Sequence, residues 1–183
     1  MSCPRERAKL LQAVTYFVTR TTLCGKSKLY WLLYLLDFKG YAACARSVTG
    51  LDYNAGADGP VPLRLDGELA APEHDFVERF HIDNLTLANG RRLLTLHARL
   101  PFDGSPFDEL ERSTLHLLAT VHAATDAGAI SERAFLPTEP WRSVYERSVR
   151  ELEPIPYRLA RPYAPIASAT HSHALLSRAT RAG

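Results

Sequence analysis

Four acidic residues lie close together in the sequence: Asp52, Asp58, Asp66 and Glu68. Carboxylates that a loop brings together can hold a divalent cation or act as an acid and base pair. Acids in loops rich in Gly and Pro are more often solvated turn residues. The cluster therefore supports only one hypothesis of chemistry, a small enzyme with its site at residues 56–62, GADGPVP.

Other catalytic patterns are absent from the sequence. It has no G-x-S-x-G nucleophile motif, no P-loop and no G-x-G-x-x-G. The three cysteines, Cys3, Cys24 and Cys44, have no metal-ligand spacing. His116 and His122 lie six positions apart, on different faces of a helix. The sequence predicts no enzyme, no cofactor and no metal site.

Asp37 stands inside an apolar helix. A carboxylate with apolar neighbours must be exposed or paired, because burying an unpaired charge is very costly. No second carboxylate or histidine lies at a fixed spacing from it, so we predict a structural bond to a nearby backbone amide or arginine.

The helix predicted over residues 26–45, with Ser27 as its cap, is apolar on two sides. One stripe is Leu29, Leu32, Leu33 and Leu36, and the other is Trp31, Tyr34, Leu35 and Phe38. A helix apolar on two sides is normally central and packed on both. The alternative is that the aromatic stripe anchors a partner protein, since Trp and Tyr are favoured in interfaces. If Trp31 and Leu35 were exposed, they would instead pair two copies of this chain.

Apolar residues at helical spacing also predict three other helices, over residues 5–23, 106–127 and 139–152. Ser105 is the expected cap of the second, and Gly128 is its expected end. Ser131 is expected to cap a short turn, and Thr138 the last helix.

A β-hairpin is predicted between residues 80 and 100, around Asn89-Gly90. A two-residue turn pairs Leu85 with Leu94. In that register His81 and His97 point to opposite faces of the hairpin and cannot share a metal. The predicted core face carries Leu85, Leu87, Leu94, Leu96 and Ala98.

Composition predicts an ordinary globular protein. The chain has 183 residues, 46% hydrophobic and 23% charged, with net charge +2. This near-neutral charge does not favour nucleic acid binding. No apolar run is long enough to span a membrane, and the N-terminus lacks the apolar region of a signal peptide, so we predict a cytoplasmic protein. The fold class expected is mainly α (α+β), a helical bundle around the central helix with a small hairpin or sheet.

The predicted domain covers residues 1–153, and residues 154–183 form an extended tail with four Arg and no acid. Two hypotheses stay open for this tail. It is disordered without a role, or it folds along a partner or back over the helices.

The central stretch resembles a known family. The matching residues are Lys28, Leu29, Leu32, Leu33, Tyr34, Asp37 and Phe38, then Thr49, Gly50, Tyr53 and Ala55, then Gly59-Pro60-Val61-Pro62, and later Pro140-Trp141. In this combination the chain resembles the Panacea domain of SocA-like antitoxins, from about residue 6 to about residue 152. It departs from the family pattern at Ala57-Asp58, where an aromatic or Lys-Tyr pair is common. It also lacks a histidine shortly before Pro140-Trp141.

The resemblance implies a prokaryotic, phage-associated antitoxin of a toxin-antitoxin system, which neutralises the toxin of a neighbouring gene by direct binding. An alternative, also known in the family, is a proteolytic adaptor that delivers the toxin to an AAA+ protease such as ClpXP. A small enzyme and a DNA-binding autorepressor are further alternatives. Oligomeric state is not predicted. The partner-binding residues expected are Tyr34, Asp37, Phe38, Tyr53, Asp58 and Trp141.

Overall fold

The computed structural model describes residues 3–86, 92–133, 140–147 and 152–160. Its architecture is mainly α with a small antiparallel β part, which confirms the predicted fold class. The helices are α1 Pro4–Arg20, α2 Lys26–Cys44, α3 Leu63–Ala70, α4 His74–Arg79, α5 Glu109–Val121, α6 Ala127–Arg133 and α7 Pro140–Tyr145. The strands are β1 Asn54–Gly56, β2 Gly59–Val61, β3 Phe80–Thr86, β4 Arg92–Ala98 and β5 Glu153–Pro154.

Helix α2 is the centre of the fold and contacts α1, α5, α6, β2 and β4. Its aromatic stripe is largely buried: Trp31 and Tyr34 are fully buried, Phe38 is 6% exposed, and half-buried Leu35 packs against the core. Core packing of the two stripes is therefore confirmed, and Trp31 cannot pair two copies from this position. The helix begins after Gly25, which is its N-cap without a side-chain bond, so the prediction of Ser27 as the cap was wrong.

Helix α5 is shorter than predicted because caps and tertiary contacts decide its ends. Asp108 is its N-cap, in a reciprocal capping box with Glu111, so Ser105 is not the cap. At the other end the Thr22 amide donates 2.8 Å to the carbonyl oxygen of Ala123, beyond the last helical residue. The predicted stop at Gly128 and cap at Ser131 were also wrong, since both residues lie inside α6.

The β3–β4 hairpin exists, but its register differs by one residue from the prediction. Leu85 pairs with Leu93 and His81 pairs with His97. Thr86 pairs with Arg92, so an odd number of residues, 87–91, connects the strands, whereas a two-residue turn requires an even number. The predicted turn at Asn89-Gly90, like Leu87, lies outside the described residues.

The register places the core face of β3 on its even-numbered residues. Phe80 is buried and Ile82 is half-buried, facing the same side as Leu94, Leu96 and Ala98. The predicted core face of β4 was right. The predicted core face of β3 was wrong, because a register slip of one residue moves the side chains of a strand to the opposite face.

Residues after α7 return to the fold in a second sheet, of order β2-β1-β5. Helix α7 ends at Tyr145, and its predicted continuation over 148–151, like the cap Thr138, falls on residues that are not described. Ile155 is 4% exposed, and the Tyr157 ring packs on Phe38 and Tyr41. Residues 154–160 therefore fold back over the helices, as one of the two hypotheses proposed, while 161–183 lie outside the described residues.

Ion pairs of α1 connect it to distant helices. Lys9 of α1 contacts Glu111 of α5 at 2.5 Å, and both residues are buried. Arg7 donates to Glu68 of α3 and, at 2.6 Å, to Asp75 of α4. Within the described ranges, no helix has both the length and the apolar character needed to cross a lipid bilayer.

Candidate functional site

Strands β1 and β2 form a tight hairpin that we call the Gly-Pro hairpin (residues 54–61). Gly56 pairs with Gly59, which leaves Ala57 and Asp58 as a two-residue turn. Both turn residues are exposed, whereas Gly56, Gly59 and Pro60 are buried. The hairpin therefore presents its tip to solvent from a buried base.

Gly59 is required at this base because Trp31 lies directly beneath it. A Cβ built on Gly59 would lie 2.6 Å from the Trp31 Nε1 atom. Gly59 also has φ +133°, a conformation that L residues with a side chain rarely adopt. Trp31 in turn is completely buried in α2, so the position of the hairpin is set by the central helix.

Trp141 of α7 holds the other glycine of the hairpin. Its Nε1 donates a hydrogen bond of 3.1 Å to the carbonyl oxygen of Gly56. Its backbone amide donates 3.0 Å to the Tyr34 hydroxyl oxygen. The Trp141 ring also contacts the edge of Trp31, with centroids 5.2 Å apart. Three motifs singled out in the sequence therefore meet at one place: the α2 helix, the Gly-Pro hairpin and Pro140-Trp141.

Hydrogen bonds to Asp37 connect α2 to the loop before the Gly-Pro hairpin. Its carboxylate accepts hydrogen bonds from the backbone amides of Val48 (2.8 Å) and Thr49 (2.7 Å), from the Thr49 hydroxyl, and from the Tyr53 hydroxyl (2.7 Å). Burial raises the pKa of Asp37 to about 6, although the bonds from Thr49, Tyr53 and Val48 act in the opposite direction. The predicted structural bond to backbone amides is confirmed.

Tyr53 completes this support. It is 1% exposed, and its ring contacts the rings of Tyr34 and Phe38 edge-on, with centroids 5.5 Å and 6.2 Å apart. Its carbonyl oxygen accepts the Ile155 amide at 2.8 Å, which attaches the chain after β5. The segment between α2 and β1 is thus held on both sides, by the helix and by residues 153–160.

Two exposed apolar residues lie beside the hairpin. Tyr145 is 42% exposed and stacks on Trp141, with centroids 5.4 Å apart and planes at 10°. Leu152 is 40% exposed and its Cδ2 would lie 3.6 Å from a Cβ on Gly56. Leu152 lies beside Gly56, and Tyr145 is connected to Gly56 through Trp141. We call Ala57, Asp58, Tyr145 and Leu152 together the hairpin surface.

The backbone of Leu152 is fixed against β1. Its amide donates 3.2 Å to the Ala55 carbonyl oxygen, and its carbonyl oxygen accepts the Asn54 Nδ2 at 2.7 Å. Leu152 has φ +61°, an uncommon conformation for leucine. The hairpin surface is therefore built on backbone that hydrogen bonds hold in place.

The six predicted partner-binding residues are brought to this region, but most lie beneath its surface. Tyr34, Asp37, Phe38, Tyr53 and Trp141 are all buried in this conformation, and only Asp58 is exposed. The buried five contact other parts of this chain. A role for them in partner binding stays a prediction. In this conformation they would affect partner binding by holding the Gly-Pro hairpin in position.

Two of the four acids of the small-enzyme hypothesis, Asp66 and Glu68, contact cations of other helices. Asp66 accepts a hydrogen bond of 2.6 Å from the Tyr30 hydroxyl and contacts Lys26 at 2.5 Å. Glu68 lies with Glu73 and Asp75 in a group whose oxygens approach within 4.8 Å, the arrangement a cation would need, but the guanidinium of Arg7 already binds in that group. These carboxylates are used as structural ion pairs.

Compared with known proteins, the chain matches no family model, no curated protein and no solved structure.

The sequence did not indicate that two residues of the hairpin surface, Tyr145 and Leu152, are exposed. Both residues, like Trp141, are apolar positions of the helix that helical spacing predicts over residues 139–152. The helix ends at Tyr145 instead, and Leu152 follows in a different conformation. Pro154 indicates only that a helix stops before residue 154, so it does not indicate an end at Tyr145.

Proposed function

We propose that the protein is an antitoxin that binds and neutralises a protein toxin by direct contact through the hairpin surface, without covalent chemistry. The observation that carries the proposal is the exposed pair Tyr145 and Leu152 beside the turn at Ala57-Asp58, on a base fixed by Trp31 and Trp141. The resemblance to SocA-like antitoxins supplies the class of partner.

A rigid surface of this composition suits protein binding. Tyr is enriched among the residues that contribute most to interfaces, because its large ring buries much area with little loss of side-chain freedom. A preorganised loop also loses less conformational entropy on binding than a mobile one. Asp58 adds a negative charge at the tip, which favours a partner with a basic patch.

The proposed location is the cytoplasm.

The experiment is co-purification of this chain with the product of the adjacent gene. We expect a stoichiometric complex with the wild-type chain. The double variant Tyr145→Ala/Leu152→Ala should weaken it by at least about 2 kcal/mol, roughly thirtyfold in Kd, as expected for an interface hot spot.

A matched control is available on α5. Leu117 and Val121 are 52% and 48% exposed, similar in character to the two test residues but on another element. The variant Leu117→Ala/Val121→Ala should leave the complex unchanged. Equal binding by both double variants would reject the hairpin surface. Absence of a complex with the wild-type chain would reject the antitoxin proposal itself.

A further inference from the structure

Helix α5 has a second apolar side in addition to the one that it packs on the core. Leu115 and Leu118 are buried, and the helix contacts α1 and α2. Leu110, Leu117 and Val121 are instead 49%, 52% and 48% exposed. A surface helix normally carries charged and polar residues on the side that faces solvent. We call the exposed side of α5 the outer face.

The outer face has no charged residue over most of its length. Residues 113–125, STLHLLATVHAAT, contain no Asp, Glu, Lys or Arg. Ser113, His116 and Thr120 are the exposed polar residues of the helix in this stretch. Charged residues are depleted in the centre of protein interfaces and common on the rest of a protein surface. The composition of the outer face is therefore that of an interface.

The turn between α1 and α2 extends this apolar surface past the C-terminal end of α5. The Thr22 amide donates 2.8 Å to the Ala123 carbonyl oxygen, and the Lys28 Nζ atom donates 2.7 Å to the Thr22 carbonyl oxygen. Leu23, the next residue, is 70% exposed and has φ +52°. Positive φ is uncommon for a residue other than glycine. Neighbouring hydrogen bonds thus hold a large apolar side chain at the surface beside α5.

Four positions of the outer face have the spacing of a seam between two helices. Leu110, Ser113, Leu117 and Thr120 follow one another at intervals of three, four and three residues, as the a and d positions of a heptad do. Large and small side chains alternate along this seam. If a second α5 lies antiparallel to the first, Leu110 is opposite Thr120 and Leu117 is opposite Ser113, so each leucine faces a small residue.

From this pattern we infer that α5 binds the α5 of a second copy of this chain, in an antiparallel pair with two-fold symmetry. In such a pair each residue meets the same patch of the other chain, so a charged patch would bring like charges together, and an uncharged face avoids this repulsion. The antiparallel arrangement also places the positive N-terminal end of each helix beside the negative C-terminal end of the other.

The dimer is independent of the antitoxin proposal, because it uses no residue of the hairpin surface. Each chain is therefore expected to have the same affinity for a toxin in the dimer and in a monomeric variant. One pair of 13-residue helices is a small contact compared with a standard interface of about 1,600 Å². We therefore expect a reversible dimer.

The test is sedimentation equilibrium of the purified full-length chain without a partner. We expect an equilibrium between monomer and dimer that shifts with chain concentration. Leu117→Ala/Val121→Ala should raise the Kd of the dimer at least about thirtyfold, as expected for an interface hot spot. Thr120→Glu should also raise it, because each copy would bury a charge in the seam. Leu63→Ala/Val77→Ala is the matched control, 47% and 45% exposed on α3 and α4, and should leave the Kd unchanged.

Cross-linking tests the antiparallel orientation. His116 is exposed and flanks the middle of the seam, so the two-fold axis brings His116 of the two copies together. In the Cys3→Ser/Cys44→Ser background, which lacks the exposed thiols, His116→Cys should form a disulfide-linked dimer on mild oxidation. Leu63→Cys in the same background should stay monomeric under these conditions.

Three results would overturn the inference. The first is a wild-type chain that sediments as a monomer at every concentration. The second is a dimer whose Kd is the same in Leu117→Ala/Val121→Ala as in wild type. The third is equal cross-linking of the two cysteine variants. Far-UV circular dichroism of each variant establishes that a change in association is not caused by unfolding.

Discussion

The Cα atom of Gly59 lies against the indole of Trp31 so closely that a Cβ there would approach Nε1 to 2.6 Å. This contact joins the central helix to the hairpin that carries the exposed turn. On the other side of the hairpin, Trp141 donates to Gly56. The two tryptophans explain how a short two-stranded hairpin, which is marginal alone in water, has a fixed position here.

Gly59→Ala is expected to destabilise the protein by about 2–5 kcal/mol. The added methyl group would overlap the Trp31 ring, and alanine is strained at φ +133°. The free energy of unfolding in urea measures this effect. Gly67→Ala is the control, because Gly67 lies in α3 and a Cβ added there would have no atom within 4 Å. This second variant should be more stable than wild type by about 0.5–1 kcal/mol, and an equal loss in both variants would contradict the close contact.

The Asp37 carboxyl should make stability depend on pH. Its pKa is about 6 in the folded protein and 3.8 as the ordinary value, so between these pH values the folded state holds a proton that the unfolded state has lost. Stability from this group is therefore greatest below about pH 4 and falls as pH rises to about 6, by on the order of 2–3 kcal/mol.

The measurement compares wild type with Asp37→Asn in urea at pH 4, 5, 6 and 7. The variant has no titrating group at this position, and the other ionisable groups are common to both chains. The difference in unfolding free energy, wild type minus variant, should decrease from pH 4 to pH 6 and stay constant above about pH 7. A difference that is independent of pH would show that Asp37 has an ordinary pKa.

Lys9→Met should cost about 3–5 kcal/mol, because it leaves the buried carboxylate of Glu111 without its cation. Adding Glu111→Gln should recover much of the loss, since Gln removes the charge yet can still accept the Asp108 amide in the capping box. Arg5→Met, at an exposed position of α1, should change stability by no more than about 0.5 kcal/mol. Thermal and urea unfolding of the four chains test these values, and a loss with Lys9→Met no larger than that of Arg5→Met would refute a structural role for the pair.

Truncation tests where the folded unit ends. A chain of residues 1–153 lacks buried Ile155 and the Tyr157 hydroxyl that donates to the Leu51 carbonyl oxygen. It should be less stable than the full chain by about 3 kcal/mol or more, the cost of removing one large buried aliphatic residue. A chain of residues 1–160 keeps both and should be more stable than the chain of residues 1–153. Similar stability of both shortened chains would support the predicted boundary at 153.

The elements that depend on local pattern were predicted well. The two-sided apolar pattern of α2 predicted a central helix, and the isolated Asp37 predicted a carboxylate with structural partners; both are confirmed. The ends of α5 were predicted poorly, because Asp108 competes with Ser105 for the cap and the Thr22 amide binds beyond the last turn. That second contact joins positions 101 residues apart in a sequence that gives no sign of it.

The exposed residues of the hairpin surface were harder to predict from the sequence than the buried residues beneath them. The resemblance to a known family indicated Tyr34, Tyr53 and Trp141, and these residues lie in the buried base. Tyr145 is the last residue of α7 and Leu152 directly precedes β5, and the helical pattern predicted over 139–152 indicates neither position. The register of β3–β4 likewise depends on the length of the connection, which decided whether His81 and His97 face each other.

The most direct test of the antitoxin proposal is growth of cells that express the adjacent open reading frame in a host lacking ClpXP. We predict that the neighbour alone arrests growth, that the wild-type chain relieves the arrest without the protease, and that Tyr145→Ala/Leu152→Ala does not. Relief only when ClpXP is restored would contradict neutralisation by binding and indicate a proteolytic adaptor. No arrest by the neighbour in any combination would contradict the antitoxin proposal.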